Sequence, residues 1–578
     1  MLIPVTLTIL FSVLSLALMA LLGWAAFRHR TPQVAAPQSA ALDLKEFGPQ
    51  ATNRWLIGFR LFLLVLVAGV VAMHCYWAYS AGNDPKSNFS MAKRLDGRNL
   101  RLAESGLKGW VLDRTGKLEN ALIRYRYDGG LIHREYPLGA AGLHLTGYSD
   151  YVFGSGGMEY GLRKWLSQPA STTNELTSPV PVGKDLKVSI DSSLQRSVYD
   201  LLQASGKPSA AVVLLLPNNE VLAMASSPSV DPSQISNEDN WRDLTDQAQN
   251  TPELSPLVNR ALGTLVTGGA AFYYRPGSTF KVFTAAVAID SGMTNEKFTC
   301  RGEGFTPPGS GRPIRDFEGE VHGTIGFDEA FKVSCNQYFA QLGLKLGKER
   351  MANYARRLDF AIAPDDDRLR ARDLWQTGHA DDGDFNFIFA PPIGRMNLSR
   401  SASSYDVALE SFGQGYDDMT VFKMALIAAA AANPNGMLAA PTFEPGQTKT
   451  IGQFISAQSA AELRKIMRMV VQSGTAAGAF AHLNGRIPAA GKTGTADRDV
   501  PVYDKAGNQV VDYVDREGRQ HYKTQGWTDG WFIGFAPADN PQIAFAVLVE
   551  NGGQGAHSAA PIAVKIIEQS AALGYVKP

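Results

Sequence analysis

The stretch that decides the fold is Ala271–Gly292, "AFYYRPGSTFKVFTAAVAIDSG". Phe280, Val282, Phe283, Ala285, Ala286, Val287 and Ile289 give it the pattern of a helix buried in a core. Pro276 and Gly277 stand where a helix start expects them. Lys281 nevertheless occupies the first turn, three residues after Ser278, so the two side chains share one face. Burial lowers a lysine pKa by up to ~3–5 units, because it strips water from the ammonium. A neutral amine within reach of a hydroxyl takes its proton, which activates a serine without any histidine. The hydroxyl also meets the positive end of the helix dipole, where developing negative charge is favoured.

The pair alone is a weak signal. At average usage a serine precedes a lysine by three residues about once per 250 positions, and Ser90–Lys93 and Ser105–Lys108 repeat it here. Two further motifs add weight. In "FKVSCNQYFAQLGLKLG", Ser334, Cys335 and Asn336 open an amphipathic helix. Taken alone the segment reads as a helix cap. Read as chemistry, Ser334 relays a proton to a leaving group and Asn336 holds a substrate amide. In "AAGKTGTAD", glycines on both sides of Lys492-Thr493 let a substrate backbone lie against a strand. Lys492, Thr493 and Thr495 can bind a carboxylate by charge and hydrogen bonds. The backbone N–H groups of Ser278 and Thr495 can form an oxyanion hole, at ~3 kcal/mol per donor. The plainer alternative is a glycine-rich strand end with a solvated lysine.

Working outward, the order of elements reads as α+β, an antiparallel sheet flanked by helices. "SAAVVLLLPNNEVLAMASSPS" is a strand, a turn and a returning strand; "RIPAAGKTGTA", "DGWFIGFAPA" and "QIAFAVLVENG" are three more. "AHSAAPIAVKIIEQSAAL" is helical, and Asp191 caps a helix with Leu194, Val198, Leu201 and Leu202 on one face. "GWVLDRTGKLENALIRYRY" reads as two strands about a turn at Asp113–Gly116, and "SQPASTTNELTSPVPVGKD" as a linker.

The N-terminal part differs. Residues 2–27 carry no charge, and residues 55–79 are interrupted only by Arg60 and His74; both are long enough to span a bilayer, which takes ~20 residues. The stretch between them holds Arg28, Arg30, Lys45 and Arg54, which places it in the cytoplasm and the downstream domain outside. The expected organisation is a membrane anchor (1–80), a small stem (81–184) and a catalytic domain (185–578). The chain of 578 residues is large enough for several domains, and its net charge of zero does not suggest a nucleic-acid binder. Cys75, Cys300 and Cys335 exclude a disulfide scaffold, show no metal-ligand spacing and read as unpaired thiols.

Ser278-x-x-Lys281, Ser334-x-Asn336 and Lys492-Thr493-Gly494, in this order, resemble the motif set of penicillin-recognising enzymes. "HREYPLG", "LTGY", "GMEYGL", "VSIDSSLQ", "EVLAMASSPSVDP", "HGTIGFDEAFKVSCN", "SFGQG" and "DGWFIGFAP" extend the likeness from about Gly106 to the end, specifically to class B penicillin-binding proteins. The resemblance implies a penicillin-binding/β-lactamase-like fold on a β-containing stem. It also implies a peptidoglycan D,D-transpeptidase, with Ser278 acylated by D-Ala-D-Ala stem peptides, Lys281 as base, and β-lactams as inhibitors. Ser334 and Asn336 would be its second element and Lys492, Thr493 and Gly494 its substrate strand, with no metal or cofactor needed. It further implies a site outside the inner membrane and a SEDS-type glycosyltransferase as partner. A second membrane helix, a short stem and a charged excursion at 498–528 depart from the family pattern. Other readings are a tethered β-lactamase or penicillin sensor, a carboxypeptidase, and a catalytically silent scaffold.

Overall fold

The computed structural model describes residues 107–128, 131–167, 183–268, 273–362, 394–415, 418–504, 508–515 and 519–577, with scattered helical positions between 59 and 73. The chain divides into two compact units, Met1–Ser80 and Ala81–Pro578. In the first, the described positions are helical, and Phe59, Val65 and Val70 are exposed. Among the described residues no helix is long and apolar enough to cross a membrane. The expected span at 2–27 lies outside the described residues, as do most of the span at 55–79 and most of the linker.

The second unit opens with a four-stranded sheet in the order β3-β2-β1-β4, built from β1 (Val111–Leu112), β2 (Ala121–Asp128), β3 (Leu131–Glu135) and β4 (Leu186–Lys187). The expected boundary at 184/185 therefore falls inside this sheet. Gly116 N–H closes the turn onto the Asp113 carbonyl at 3.0 Å. Beside the sheet, fully buried Glu159 meets Arg134 at 2.6 Å and Lys108 at 3.4 Å, so its charge is paired.

The main sheet is antiparallel throughout, in the order β9-β12-β13-β5-β6. Its strands are β5 (Ser209–Leu215), β6 (Glu220–Ser227), β9 (Ala490–Pro501), β12 (Thr524–Ala536) and β13 (Ile543–Val549). The β5–β6 turn works because Asn219 takes φ +55°, a left-handed conformation that asparagine tolerates. Every residue of β13 is buried, so both sheet faces must be covered. Helix α1 (Ser192–Gln203) and helix α6 (Ala559–Ala572) pack on each other and on the sheet. Asp191 caps α1 through the Leu194 N–H at 2.8 Å. Helix α4 (Val421–Ala432), buried along its whole length, packs on β13, β12 and β5.

Helix α2 (Lys281–Asp290) carries the opening motif, and nine of its ten residues are buried. It contacts α3 (Asn336–Leu346), α4 and α5 (Ala457–Ser473). Phe280 and Phe283 join Phe360 and Phe454 in an aromatic cluster that fixes its first turn. A hairpin of β7 (Lys297–Cys300) and β8 (Gly323–Gly326) lies between α2 and α3 in sequence. The excursion at 498–528 is mostly strand: β9 and β12 stay paired out to Pro501↔Thr524, and β10 (Val511–Val514) and β11 (Gln520–Tyr522) form an exposed pair at the tip.

Candidate active site

Ser278 lies in a 3-10 turn, Gly277–Phe280, directly ahead of α2. Gly277 has φ +53°, and a Cβ there would come within 2.4 Å of the Thr495 carbonyl oxygen. On the facing strand, a Cβ on Gly494 would lie 2.9 Å from Thr279 Cγ2 and 3.0 Å from the Pro276 carbonyl oxygen. Both glycines therefore serve one purpose, which is to let the serine turn press against edge strand β9.

Lys281 Nζ lies 2.9 Å from Ser278 Oγ, 2.7 Å from Asn336 Oδ1 and 3.2 Å from Ser334 Oγ, and donates to the Ser334 carbonyl at 2.5 Å. Ser334 Oγ in turn lies 2.8 Å from Lys492 Nζ. The structure thus brings Ser278, Lys281, Ser334, Asn336 and Lys492 into one hydrogen-bonded chain, with Thr493, Gly494 and Thr495 following Lys492 on β9. Both lysines are fully buried, while Ser278 and Ser334 are partly exposed at the surface of the cluster. Burial pushes Lys281 down to about 8. Lys492 is held well below the ordinary lysine range, first by burial and then by the neighbouring charge of Lys281. The charge of either ammonium disfavours a second one beside it, and both amines are held below the ordinary lysine range.

The second motif differs from a simple helix cap. Helix α3 begins at Asn336, and its cap is Cys335, whose sulfur accepts from the Tyr338 N–H at 3.3 Å. Ser334 takes φ +64°, a left-handed conformation costly for a residue with a Cβ. That twist turns its hydroxyl toward the lysines. Asp316 fixes the following backbone by accepting from the Asn336 N–H and from Gln337 Nε2 at 2.9 Å.

Three contributors had no role assigned to them from the sequence. Gln414 Nε2 donates to the Thr495 carbonyl at 3.1 Å, and Gly277 N–H donates to the Gly413 carbonyl at 2.9 Å, so "SFGQG" braces the serine turn against β9. Thr475 Oγ1 meets Thr493 Oγ1 at 2.5 Å. A buried ion-pair network lies deeper: Glu550 is paired with Arg260 at 2.7 Å and Arg498 at 2.5 Å, while Arg498 also holds Asp529 at 2.6 Å. Tyr274, two residues before Pro276, donates to Glu550 at 2.9 Å. None of these sits in a local pattern of its own, because each acts across elements far apart in sequence. Cys300 and Cys335, read as unpaired thiols, are free and buried. Cys300, Asp316, His322 and Cys335 place their ligand-type atoms within 4.8 Å of one another.

This arrangement can do one kind of chemistry: a serine flanked by a low-pKa amine, with a second buried amine and a hydroxyl relay beside it, suits acyl transfer. Known proteins agree. Residues 210–568 match the penicillin binding protein transpeptidase domain family. The peptidoglycan D,D-transpeptidase PbpA of Mycobacterium tuberculosis is 29% identical over 420 residues, covering 67% of this chain and 72% of that one. Peptidoglycan D,D-transpeptidase MrdA of Haemophilus influenzae is 28% identical over 445 residues, covering 73% and 61%. Among solved structures, penicillin-binding protein A from M. tuberculosis as a penicillin G acyl-enzyme complex superposes with a TM-score of 0.60 at 25% identity, covering 81% of this chain and 100% of that one. The chain therefore belongs to the penicillin-binding protein transpeptidase family and is a serine-type D,D-transpeptidase.

Proposed function

We propose that Ser278 and its neighbours cross-link peptidoglycan as follows. The free amine of Lys281 takes the Ser278 proton as Oγ attacks the carbonyl carbon of the penultimate D-Ala. The N–H groups of Ser278 and Thr495 hold the oxyanion. Lys492, Thr493 and Thr495 hold the terminal carboxylate, and Asn336 holds the peptide amide. Ser334 passes a proton to the departing D-Ala nitrogen. An amine of a second stem peptide then attacks the acyl-serine, losing a proton as the Ser278 oxygen regains one. β-Lactams enter at the first step and remain attached. The observation that carries this reading is Lys281 Nζ, which contacts Ser278 Oγ at 2.9 Å, Asn336 Oδ1 at 2.7 Å and Ser334 Oγ at 3.2 Å.

The apolar stretches at 2–27 and 55–79 support tethering to the inner membrane, with the catalytic unit on its outer side. A polytopic glycosyltransferase of the SEDS type fits as the partner that supplies glycan strands, by analogy with the class alone.

The test is intact mass of the detergent-purified full chain after penicillin treatment, beside Ser278→Ala. A stable adduct of one inhibitor mass, absent from the variant, is expected. Hydrolysed penicillin without an adduct would make the protein a β-lactamase, and intact penicillin without an adduct would make it a scaffold.

A further inference from the structure

We propose that Glu550 is a positioning residue: its carboxylate ties the serine turn to strand β9 and so sets the two N–H groups that hold the oxyanion. The proposal rests on the acyl transfer read above, in which Ser278 and Thr495 supply those groups from different elements. There is no slack between the two elements, since a Cβ on Gly277 would come within 2.4 Å of the Thr495 carbonyl oxygen. Misplacement by about 1 Å costs a catalytic group much of its effect, so the turn and the strand must be fixed against each other.

Glu550 has the mounting for that task. It directly follows β13, its N–H donates to the Pro208 carbonyl at 2.8 Å, and the next N–H, of Asn551, donates to Asp529 at 2.9 Å. Its two oxygens serve two elements. Oε1 accepts from Tyr274 Oη at 2.9 Å and from Arg260 Nε at 2.7 Å, whereas Oε2 accepts from Arg498 at 2.5 Å. Tyr274 lies four residues ahead of Ser278, on the segment that runs into the serine turn, and Arg498 lies on β9 three residues past Thr495. The carboxylate therefore bridges the lead-in of one oxyanion donor and the strand of the other.

The charges are arranged for position more than for stability. The pairing of Gly530 with Val549 brings Asp529 beside Glu550, and two adjacent carboxylates repel. Arg498 bridges them, with Nε 2.6 Å from Asp529 and a second nitrogen on Glu550. Arg260 completes a set of two positive and two negative groups. Glu550, Arg260, Asp529 and Tyr274 are all fully buried. Taking ions out of water costs about as much as their pairing returns, and apolar side chains can fill such a space without loss. What apolar side chains cannot supply is directional bonds that hold three elements in one register. The Tyr274 ring also meets Trp531 edge-on, with centroids 6.1 Å apart, which holds it where its hydroxyl reaches Glu550.

The test uses the detergent-purified full chain and a penicillin carrying carbon-13 at its β-lactam carbonyl. Tyr274→Phe removes only the hydroxyl. Its acylation rate at saturating penicillin, kinact, should fall about 10–100-fold, with KI within about twofold of wild type. The infrared stretch of the acyl carbonyl should move to higher wavenumber, because weaker N–H contacts polarise it less. Arg498→Met, which frees the β9 side alone, should do the same and decides the matter if Tyr274→Phe does not fold. Tyr575→Phe removes a tyrosine–carboxylate contact at the Asp191 cap of α1 and should leave rate and stretch unchanged. A wild-type kinact per folded molecule in Tyr274→Phe overturns the proposal, even where the melting temperature drops. So does a slowed rate with an unshifted carbonyl, a rise in KI that accounts for the loss, or an equal change in Tyr575→Phe. Each of those results presupposes a wild-type adduct on Ser278. A wild-type chain that forms no adduct overturns the reading of the reaction, and this proposal with it.

Discussion

Lys281 gives two linked consequences that a single pH series can test. Its pKa stands at about 8 because burial disfavours the ammonium. Only the free amine can take the Ser278 proton, so acylation follows its fraction, which is roughly 1% at pH 6, 9% at pH 7 and half at pH 8. The penicillin acylation rate should therefore rise about tenfold from pH 6 to 7, about fivefold from 7 to 8, and less than twofold beyond. The same shift bears on stability. The folded pKa of about 8 lies below the ordinary value of 10.5, so between those values the unfolded chain binds the extra proton and stability rises with pH. Integrated from pH 7 to 9.5 the gain is about 2 kcal/mol relative to Lys281→Met, which has no such group. The assays are quenched-flow acylation read by intact mass, and denaturant unfolding of both proteins across the series. An acylation rate flat between pH 6 and 8, with parallel stability curves, would refute a buried lysine base.

Other parts of the site give sharper structural tests. Ser334→Ala removes the hydroxyl between the two lysines and should slow acylation by ~10²–10⁴-fold with the fold intact, as judged by circular dichroism. Gly277→Ala forces a Cβ into the Thr495 carbonyl oxygen at 2.4 Å and a left-handed backbone; acylation should fall and the melting temperature drop, at a backbone cost of ~1–2 kcal/mol before the clash is counted. Arg260→Met leaves Glu550 with one of its two arginines, both groups being fully buried, and should cost roughly 3–5 kcal/mol in denaturant unfolding.

How much of this was legible in the sequence depends on whether the interaction is local. The three motifs could be read because each is a short run whose spacing fixes a shared face or strand. The strands β5 and β13 could be read because buried strands are nearly unbroken apolar runs, here SAAVVLL and IAFAVLV. The left-handed turn at Ser334 could not, since serine gives no signal for positive φ; asparagine at 219 and glycine at 277 do. Cys335 as the cap, with Ser334 thereby free to face the lysines, also goes against residue preference and is set by the Asp316 loop. The proximity of Cys300, Asp316, His322 and Cys335 has no sequence period at all. It arises because a hairpin folds back onto the start of α3, which only the assembled chain displays.

One property of the site has no counterpart in any single motif. Two buried amines share Ser334 Oγ, at 3.2 Å from Lys281 and 2.8 Å from Lys492. A hydroxyl in that position can accept from one amine while donating to the other. A carboxylate arriving beside Lys492 favours the proton there, by Coulomb attraction in a poorly solvated site. Ser334 can then carry a proton from Lys281 to Lys492, leaving Lys281 as the free base next to Ser278 when substrate docks. The consequence is measurable, because kinact/KI reports the free enzyme while kinact reports the bound complex. For a penicillin with its carboxylate free, the kinact midpoint should lie below the midpoint of about 8 expected for kinact/KI. Esterifying that carboxylate should remove the difference. Equal midpoints for the free acid would mean that the two lysines titrate independently and that Ser334 serves the leaving group alone.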